Sequence, residues 1–431
     1  MRFNFILRNN CRKAILLGGF MFLMVLSSGA QDLTSSPYSR FGIGDIFTKS
    51  YGRSQAMGGL GIGLRSDRDL NMINPASLTR MDSLTFLFEV GMLDKATFFR
   101  TEDQKSFSNN IGFSYMAMGF PITKWWASSV GILPLSGVDY AFSDTELNPQ
   151  IGEIQSDFSG DGGVSNFFIA QSFKPVKYIS LGLNFSYLFG PINHSKSLRF
   201  PSDSLFFSTH ARNSVIVGDI HMSYGLQADI PLKNDYFLTL GGIFENESSL
   251  KTESRKLVYN SGQGVVDTLL YIIDEENSIV LPTSWGAGFS FGKKNKFTLG
   301  LDYNQQNWAN SEFVGQKDSL GNSQELIIGI EYIPDAFSPI RYSKRVRYRA
   351  GVHYSKSYLQ LRGAQLKEFG INFGVGLPVS MDKFPKKHTI NLSAEIGKRG
   401  TIKNGLISEY YGLFTVQLNL HDFWFRKRQY N

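Results

Sequence analysis

The chain has 431 residues and one cysteine. A single thiol cannot pair within the chain, so a disulfide scaffold is excluded. No apolar run reaches the roughly 18 to 20 residues that a spanning helix needs, which excludes a polytopic helical membrane protein. Long runs of like charge are also missing. The formal charge is +7, from 44 Lys and Arg against 37 Asp and Glu, and Arg2, Arg8, Arg12 and Lys13 fall in an acid-free N-terminal stretch. The remainder holds too small a positive excess to make nucleic acid a partner. His194, His210, His221, His353, His388 and His421 are scattered without metal-ligand spacing. His221 and Ser223 share a strand face, but no nucleophile with both a base and an orienting group is visible. These absences point to a protein that is not an enzyme and carries no metal or other cofactor.

What the chain does have is apolar and aromatic mass: 42% hydrophobic and 14% aromatic residues, with 43 glycines. That is too apolar for disorder. Ala14 to Leu26 is an apolar stretch behind the basic head, and Ser28-Gly29-Ala30 supplies small residues at a cleavage position. Residues 1–30 therefore read as a secretory signal peptide. Cys11 precedes the apolar stretch and cannot become a lipid-modified N-terminus.

Beyond residue 82 the dominant period is two, the mark of strands with unlike faces. Ile179, Leu181, Leu183, Phe185 and Tyr187 alternate with Ser180, Gly182, Asn184 and Ser186. Phe369, Ile371, Phe373 and Val375 alternate with Gly370, Asn372 and Gly374. The apolar faces are large and aromatic, while the opposite faces are Gly, Ser and Asn rather than Lys and Glu. A soluble sandwich would put charge on its wet face; a transmembrane barrel shows this other pattern. Short turns at 121–124, 175–177, 231–233 and 292–296 alternate with longer polar excursions, notably 143–163, 190–213 and 247–281. The count of crossings is fourteen. The fold expected is all-β, a transmembrane antiparallel β-barrel over 83–425. An N-terminal hatch at 31–82 would sit inside it, and a short periplasmic tail would follow at 426–431. The hatch expectation rests on composition: residues 31–82 do not alternate and carry Gly42, Gly44, Gly52, Gly58, Gly59, Gly61 and Gly63, in a piece too small to fold alone.

Gly52-Arg53-Ser54-Gln55-Ala56-Met57-Gly58-Gly59, with Asp67 or Asp69 and then Asn74-Pro75-Ala76-Ser77-Leu78, resembles the hatch of the FadL/TodX family. Leu281-Pro282-Thr283-Ser284-Trp285, Trp308 and Tyr348-Arg349-Ala350-Gly351-Val352-His353-Tyr354 are similar to later parts of those proteins. The resemblance implies an outer-membrane location, a fourteen-stranded barrel with a hatch, and passive uptake of small hydrophobic molecules such as long-chain fatty acids. It places gating at Asn74, Pro75, Ala76, Gly58 and Gly59. Charged residues interrupt the apolar content of the longest excursions, so the alternative is a non-transporting structural or docking subunit of an outer-membrane complex. Partners are then membrane lipid, with either a fatty acid or another hydrophobic ligand, or envelope proteins.

Alternation also assigns the lumen. Glu89, Asp229, Glu245, Asp302, Glu325, Glu331, Glu395, His221 and His353 are expected to face inward. So are Arg345, Arg347 and Arg349 on one strand face, placed either to grip a carboxylate bidentately or to pair with barrel acids and hold the hatch. Leu87, Leu93, Met116, Met118 and Phe120 are read as inward too, lining a passage or packing on the hatch. Asp422 breaks the face of Val416, Leu418 and Leu420, which calls for a bulge or an interfacial strand end. If the barrel reading is right, the protein fractionates with the outer membrane and migrates faster unheated than boiled. A soluble product removes the reading.

Overall fold

The computed structural model describes residues 33–423 except 151, 201–205, 263, 312, 314–319 and 380–387. The expected signal peptide and C-terminal tail lie outside the described residues. Seventeen strands form one sheet. Fourteen of them close into an antiparallel barrel. These are β2 (Thr85–Arg100), β3 (Lys105–Pro121), β4 (Trp126–Asn148), β5 (Gly152–Val176), β6 (Ile179–Arg199), β7 (Ser208–Pro231) and β8 (Tyr236–Glu245), then β11 (Ser284–Lys293), β12 (Phe297–Gln306), β13 (Ser323–Tyr332), β14 (Arg347–Leu361), β15 (Ala364–Pro378), β16 (Thr389–Gly400) and β17 (Ser408–Phe423). The others are β1 (Asp45–Ile46), in the hatch, and the hairpin β9 (Ser248–Gly262) and β10 (Val265–Leu281). Closure is made by β17 on β2, in unbroken register from Ser408↔Arg100 to Phe423↔Thr85. That ladder leaves the wall no free edge at its ends, as a strand structure in lipid requires. It runs through Asp422 without a bulge, so the exposed Asp422 marks a strand end.

Register explains the alternation. Leu181, Leu183 and Phe185 stand opposite Leu226, Tyr224 and Met222, all on the outer face. Gly182, Asn184 and Ser186 stand opposite Gly225, Ser223 and His221, on the inner one. The inner side chains are buried, whereas Leu181, Tyr187 and Leu226 are nearly half exposed. A molecule with its polar side chains buried and its Leu and Tyr exposed is inverted for water and right for lipid. The short-turn end carries Trp125, Trp126 and Phe173 in mutual ring contact, and Tyr236 against Phe291 and Phe297. This is the aromatic belt of a membrane interface.

Three expectations need correction. The excursions at 143–163, 190–213 and 247–281 are mostly ladder: β4 pairs β5 up to Asn148↔Gly152, β6 pairs β7 up to Leu198↔Thr209, and β9 extends β7 from Val217↔Thr252 to Ser208↔Ser261. Their polarity reflects a wall continuing past the lipid, where strands no longer need an apolar face. Next, Met116, Met118 and Phe120 face outward. A bulge lies where Gly91↔Tyr115 is followed by Met92↔Phe113, and one extra residue reverses the phase of the strand. Ser114 is buried above the bulge, while Tyr115, Ala117 and Gly119 are buried below it. Last, Arg345 is not on the β14 face. It ends a one-turn helix, Tyr342–Arg345, at the short-turn end, with its guanidinium 5.2 Å from the Tyr342 ring centre.

Among the described residues the wall parts between β3 and β4. β3 pairs β4 only from Met116↔Ile132 to Pro121↔Ala127. Above that the two strands part, and β1 takes up the β4 edge through Asp45↔Gly137 and Ile46↔Ser136, with Phe47 N–H donating to Leu135 O at 2.9 Å. From the other side Asn110 on β3 touches Thr34 and Ser35. Hatch backbone thus fills a seam in the barrel.

Lipid depth is testable on one strand face. Leu183→Arg places a charge in the apolar band and costs about 2–4 kcal/mol, whereas Ser195→Arg, outward on the same strand but past the band, costs under about 1 kcal/mol. Urea unfolding in bilayers measures both; equal costs would mean that the band is misplaced.

Candidate functional site at the hatch

The hatch is built from single turns and tight corners. Short 3-10 helices cover Pro37–Arg40, Gln55–Met57 and Pro75–Arg80. Gly58 and Gly59 have φ of 78° and 101° and donate their N–H groups to Gln55 O and Ser54 O, so both are held in a conformation that favours glycine. Asn74 caps the last turn by accepting from Ala76 N–H at 3.1 Å, and Pro75 occupies the first helical position, where it needs no donor. The Asn74 Nδ2 group points the other way. It lies 2.9 Å from Ile62 O in the hatch and 3.2 and 3.3 Å from Leu226 O and Gly242 O in the wall. One buried side chain therefore joins the turn, the glycine-rich segment and two barrel strands.

Main chain meets main chain around this segment. Gly182 on β6 lies against Pro75 and Ala76, Gly225 on β7 against Asn74 and Pro75, and Gly241 on β8 against Ile62. On the far side Gly329 and Gly351, cross-strand partners on β13 and β14, lie against Met57. At Gly182, Gly241, Gly329 and Gly351 a Cβ would run into hatch backbone, and at Gly225 into the Asn74 side-chain oxygen and the Pro75 ring. The small inner faces seen in the sequence are therefore the seat of the hatch rather than a lined passage.

Polar wall residues bind the hatch backbone directly. Asp302 Oδ2 accepts from Gly61 N–H and Ile62 N–H at 2.7 Å each, and Glu89 Oε1 accepts from Leu70 N–H at 2.7 Å. Gln227 Nε2 donates to Ile62 O and Leu64 O, and Ser290 to Gly63 O at 2.7 Å. Buried main-chain groups without such partners would each cost about 1–3 kcal/mol.

The arginines serve the same end. Glu331 takes Arg53 of the hatch through one carboxylate oxygen and Arg349 of the wall through the other, both at 2.8 Å. Arg349 also donates to Asn391 at 2.6 Å, and Arg347 lies 4.0 Å from Asp69. Arg347 and Arg349 are thus hatch and wall ties. Higher in the lumen Asp45 pairs with Arg399 at 2.8 Å and accepts from Thr34. Burial works against ionisation of Asp45, yet Arg399, Lys95 and Thr34 together hold its carboxyl below the usual range. Tyr38 Oη donates to Ile407 O and accepts from Ile407 N–H. Glu409 accepts from Ser36 Oγ of the hatch. Gln227 and Glu409 do not stand out in the sequence, where each is one more polar residue at an inward position.

Two apolar clusters fill the rest. Leu87, fully buried, packs with Leu70, Leu78, Met81, Tyr115 and Ala117 below. Above, Tyr38 and Ile43 pack with Val138, Leu188, Val217, Leu281, Trp308 and Tyr358, the last two stacked at 4.6 Å. A cavity beside Pro75, lined by Lys49, Asn71, Leu78, Phe168 and Asn184, measures about 10 Å³, room for one water.

A closed fourteen-stranded barrel with its N-terminal segment seated inside is the architecture of the FadL-like outer-membrane channels. Solved structures agree at the level of fold. The chain is similar to the P. putida toluene transporter TodX, at 15% identity and a TM-score of 0.60 over 88% of this chain and 100% of that one. It is similar also to the Ralstonia pickettii toluene transporter TbuX, at 12% and 0.57 over 86% and 98%. A Pseudomonas aeruginosa FadL homologue gives 12% and 0.58 over 89% and 100%. No curated protein sequence matches the chain. The sequence profile of BamG matches residues 12–431, and the chain belongs to the BamG family.

The seat can be tested at two residues. Gly351→Val forces a side chain into Met57 backbone and costs about 1–3 kcal/mol by overpacking. Asn74→Ala strands buried carbonyls at a cost of about 1–3 kcal/mol. Both are expected to raise protease cleavage between residues 50 and 80 while the barrel keeps its heat-modifiable migration. Protection equal to wild type would mean that the hatch is not held by these contacts.

Proposed function

We propose that this barrel works as a non-transporting docking subunit of an outer-membrane protein complex. The observation that carries the reading is β10. Val265, Val266, Leu269, Tyr271, Ile272 and Ile273 are all exposed, Val266 at 68% and Tyr271 at 60%. They lie on a strand paired on one edge with β9. Val265 and Ile273 are twenty and twelve residues beyond Trp285 at the end of β11. At about 3.3 Å per residue that places them tens of ångströms outside the lipid. Among the described residues no ladder pairs with the other edge of Val265–Ile273; an apolar strand with such an edge in water is a template for another strand, and an exposed patch of this kind marks an interaction site. The seating of the hatch supports the same reading, since hatch residues cover inner faces that would otherwise line a passage.

Uptake of small hydrophobic molecules, long-chain fatty acids among them, is the second reading. The similar structures favour it, being toluene transporters and a FadL homologue, and so does the parting of β3 from β4.

One set of strains separates the two. Val266→Lys with Ile272→Lys charges the β10 edge, and Asn74→Ala with Pro75→Ala loosens the hatch. Docking predicts that the first pair loses a stoichiometric envelope partner at constant barrel level while the second keeps it. Uptake predicts that a toluene or fatty-acid probe enters faster or slower in the second pair and stops in a deletion strain. Unchanged partner content in the β10 variant would sink the docking reading. Equal probe entry in wild type, hatch variant and deletion would sink the uptake reading for those ligands.

A further inference from the structure

A row of four cross-strand partners crosses the inner wall between residues 56–58 and Asp45 of the hatch: His353 on β14, Gly370 on β15, Gly397 on β16 and Tyr411 on β17. The two central members have no side chains, and the two outer rings fold over them. A Cβ at Gly370 would run into the His353 ring, and one at Gly397 into the Tyr411 ring. Both rings are thereby brought onto the carboxylates of Glu368 and Glu395. One ligand atom each from His353, Glu368 and Glu395 lies within 4.8 Å of the others.

Three observations indicate that a positive charge belongs between them. The Tyr411 hydroxyl lies 2.6 Å from Glu368 Oε1 and 2.8 Å from Glu395 Oε1, but it has one proton and can donate to only one of them. His353 Nε2 is 3.7 Å from Glu395 Oε1. That is too long for a hydrogen bond and near the spacing of about 3.3 Å between two ligands on one tetrahedral ion. Asn372, 2% exposed, donates Nδ2 to Glu395 Oε2 at 2.7 Å and leaves its Oδ1 without a partner beside the cluster. Neighbouring cations are shared among more carboxylates than they can match. Arg399, the cross-strand partner of Glu368, also serves Asp45 and Glu409, Lys95 sits over the Tyr411 ring at 5.2 Å, and Glu325 on β13 adds a further carboxylate.

We infer that His353, Glu368 and Glu395 form a binding site for a divalent transition-metal ion, with zinc as the reference ion. One imidazole nitrogen with two carboxylate oxygens suits zinc or manganese better than calcium or magnesium, which take oxygen ligands. Asn372 and Tyr411 orient the two carboxylates, as polar neighbours of metal ligands do. A water on the ion would give Asn372 Oδ1 its missing donor. The three ligands are partly exposed. They stand fifteen and twenty-seven residues apart on three strands, which is why no short spacing reveals them. The site is independent of either reading of the barrel's function.

The test uses the full-length barrel in detergent, its fold checked by heat-modifiable migration, stripped with chelator and titrated with zinc or cobalt(II). Wild type is expected to take up about one zinc per chain and to give a cobalt(II) visible spectrum that zinc abolishes and calcium does not. Glu368→Gln and His353→Gln are each expected to weaken zinc at least about 100-fold, and Tyr411→Phe about 10-fold. X-ray absorption on zinc-loaded wild type is expected to show one imidazole among oxygen donors, a result that stands even if a variant fails to fold. A folded wild type that takes up no zinc overturns the site and leaves a shared proton only. Uptake that is indifferent to both ligand substitutions, or a zinc shell without nitrogen, overturns it as well.

Discussion

The structure depends on one close approach, the main chain of the hatch lying directly on the main chain of the wall. Gly182, Gly241, Gly329 and Gly351 make that approach possible by withholding side chains. It in turn dictates where polar groups must stand. Backbone brought against backbone inside a barrel cannot be solvated, so Asp302, Glu89, Gln227 and Ser290 reach across to answer N–H and C=O groups one by one. Larger wall residues would have separated the surfaces and left those groups to water. The glycine content of the chain and the polar content of its lumen are two sides of the same fit.

Charge in the lumen follows the same logic. Glu331 takes Arg53 with one oxygen and Arg349 with the other, and Asn391 receives a further arm of Arg349. Removing any one member leaves the others buried and unmatched, which costs far more than the intact set contributes. Such ties add modestly to stability but discriminate strongly among placements of the hatch. A hatch shifted by one residue would lose the two N–H groups on Asp302 and the guanidinium on Glu331 together.

Much of this was legible in the sequence, because lipid imposes a rule of period two that soluble proteins relax. The fourteen crossings and the inward positions of Asp302, Glu331, Arg347, Arg349 and Leu87 all follow from it. The failures have definite physical causes. Ser114 and Tyr115 both face inward across a bulge, and nothing local in Phe113-Ser114-Tyr115-Met116 announces the reversal, so alternation alone puts Met116 and Met118 on the wrong face. Arg345 continues the spacing of Arg347 and Arg349, but the strand has not yet begun there. Polar stretches that look like loops are ladder outside the membrane, where alternation has no solvent contrast to record. The meeting of His353 with Glu368 and Glu395 depends on register across three strands and on two glycines, information that no single segment contains.

The seam between β3 and β4 has a consequence for how the molecule is made. Its filler, β1, pairs with β4, while Asp45 in the same dipeptide is bound by Arg399 on β16 and the nearby Ser36 by Glu409 on β17. Ser36 and Glu409 are 373 positions apart in the chain. This segment therefore completes its set of partners only when the strands nearest the C-terminus arrive. Contacts at such separation come late, since the loop they close must be ordered first. Seating the hatch and finishing the wall are a single terminal event, and a chain lacking its last two strands forfeits both ends of the structure at once.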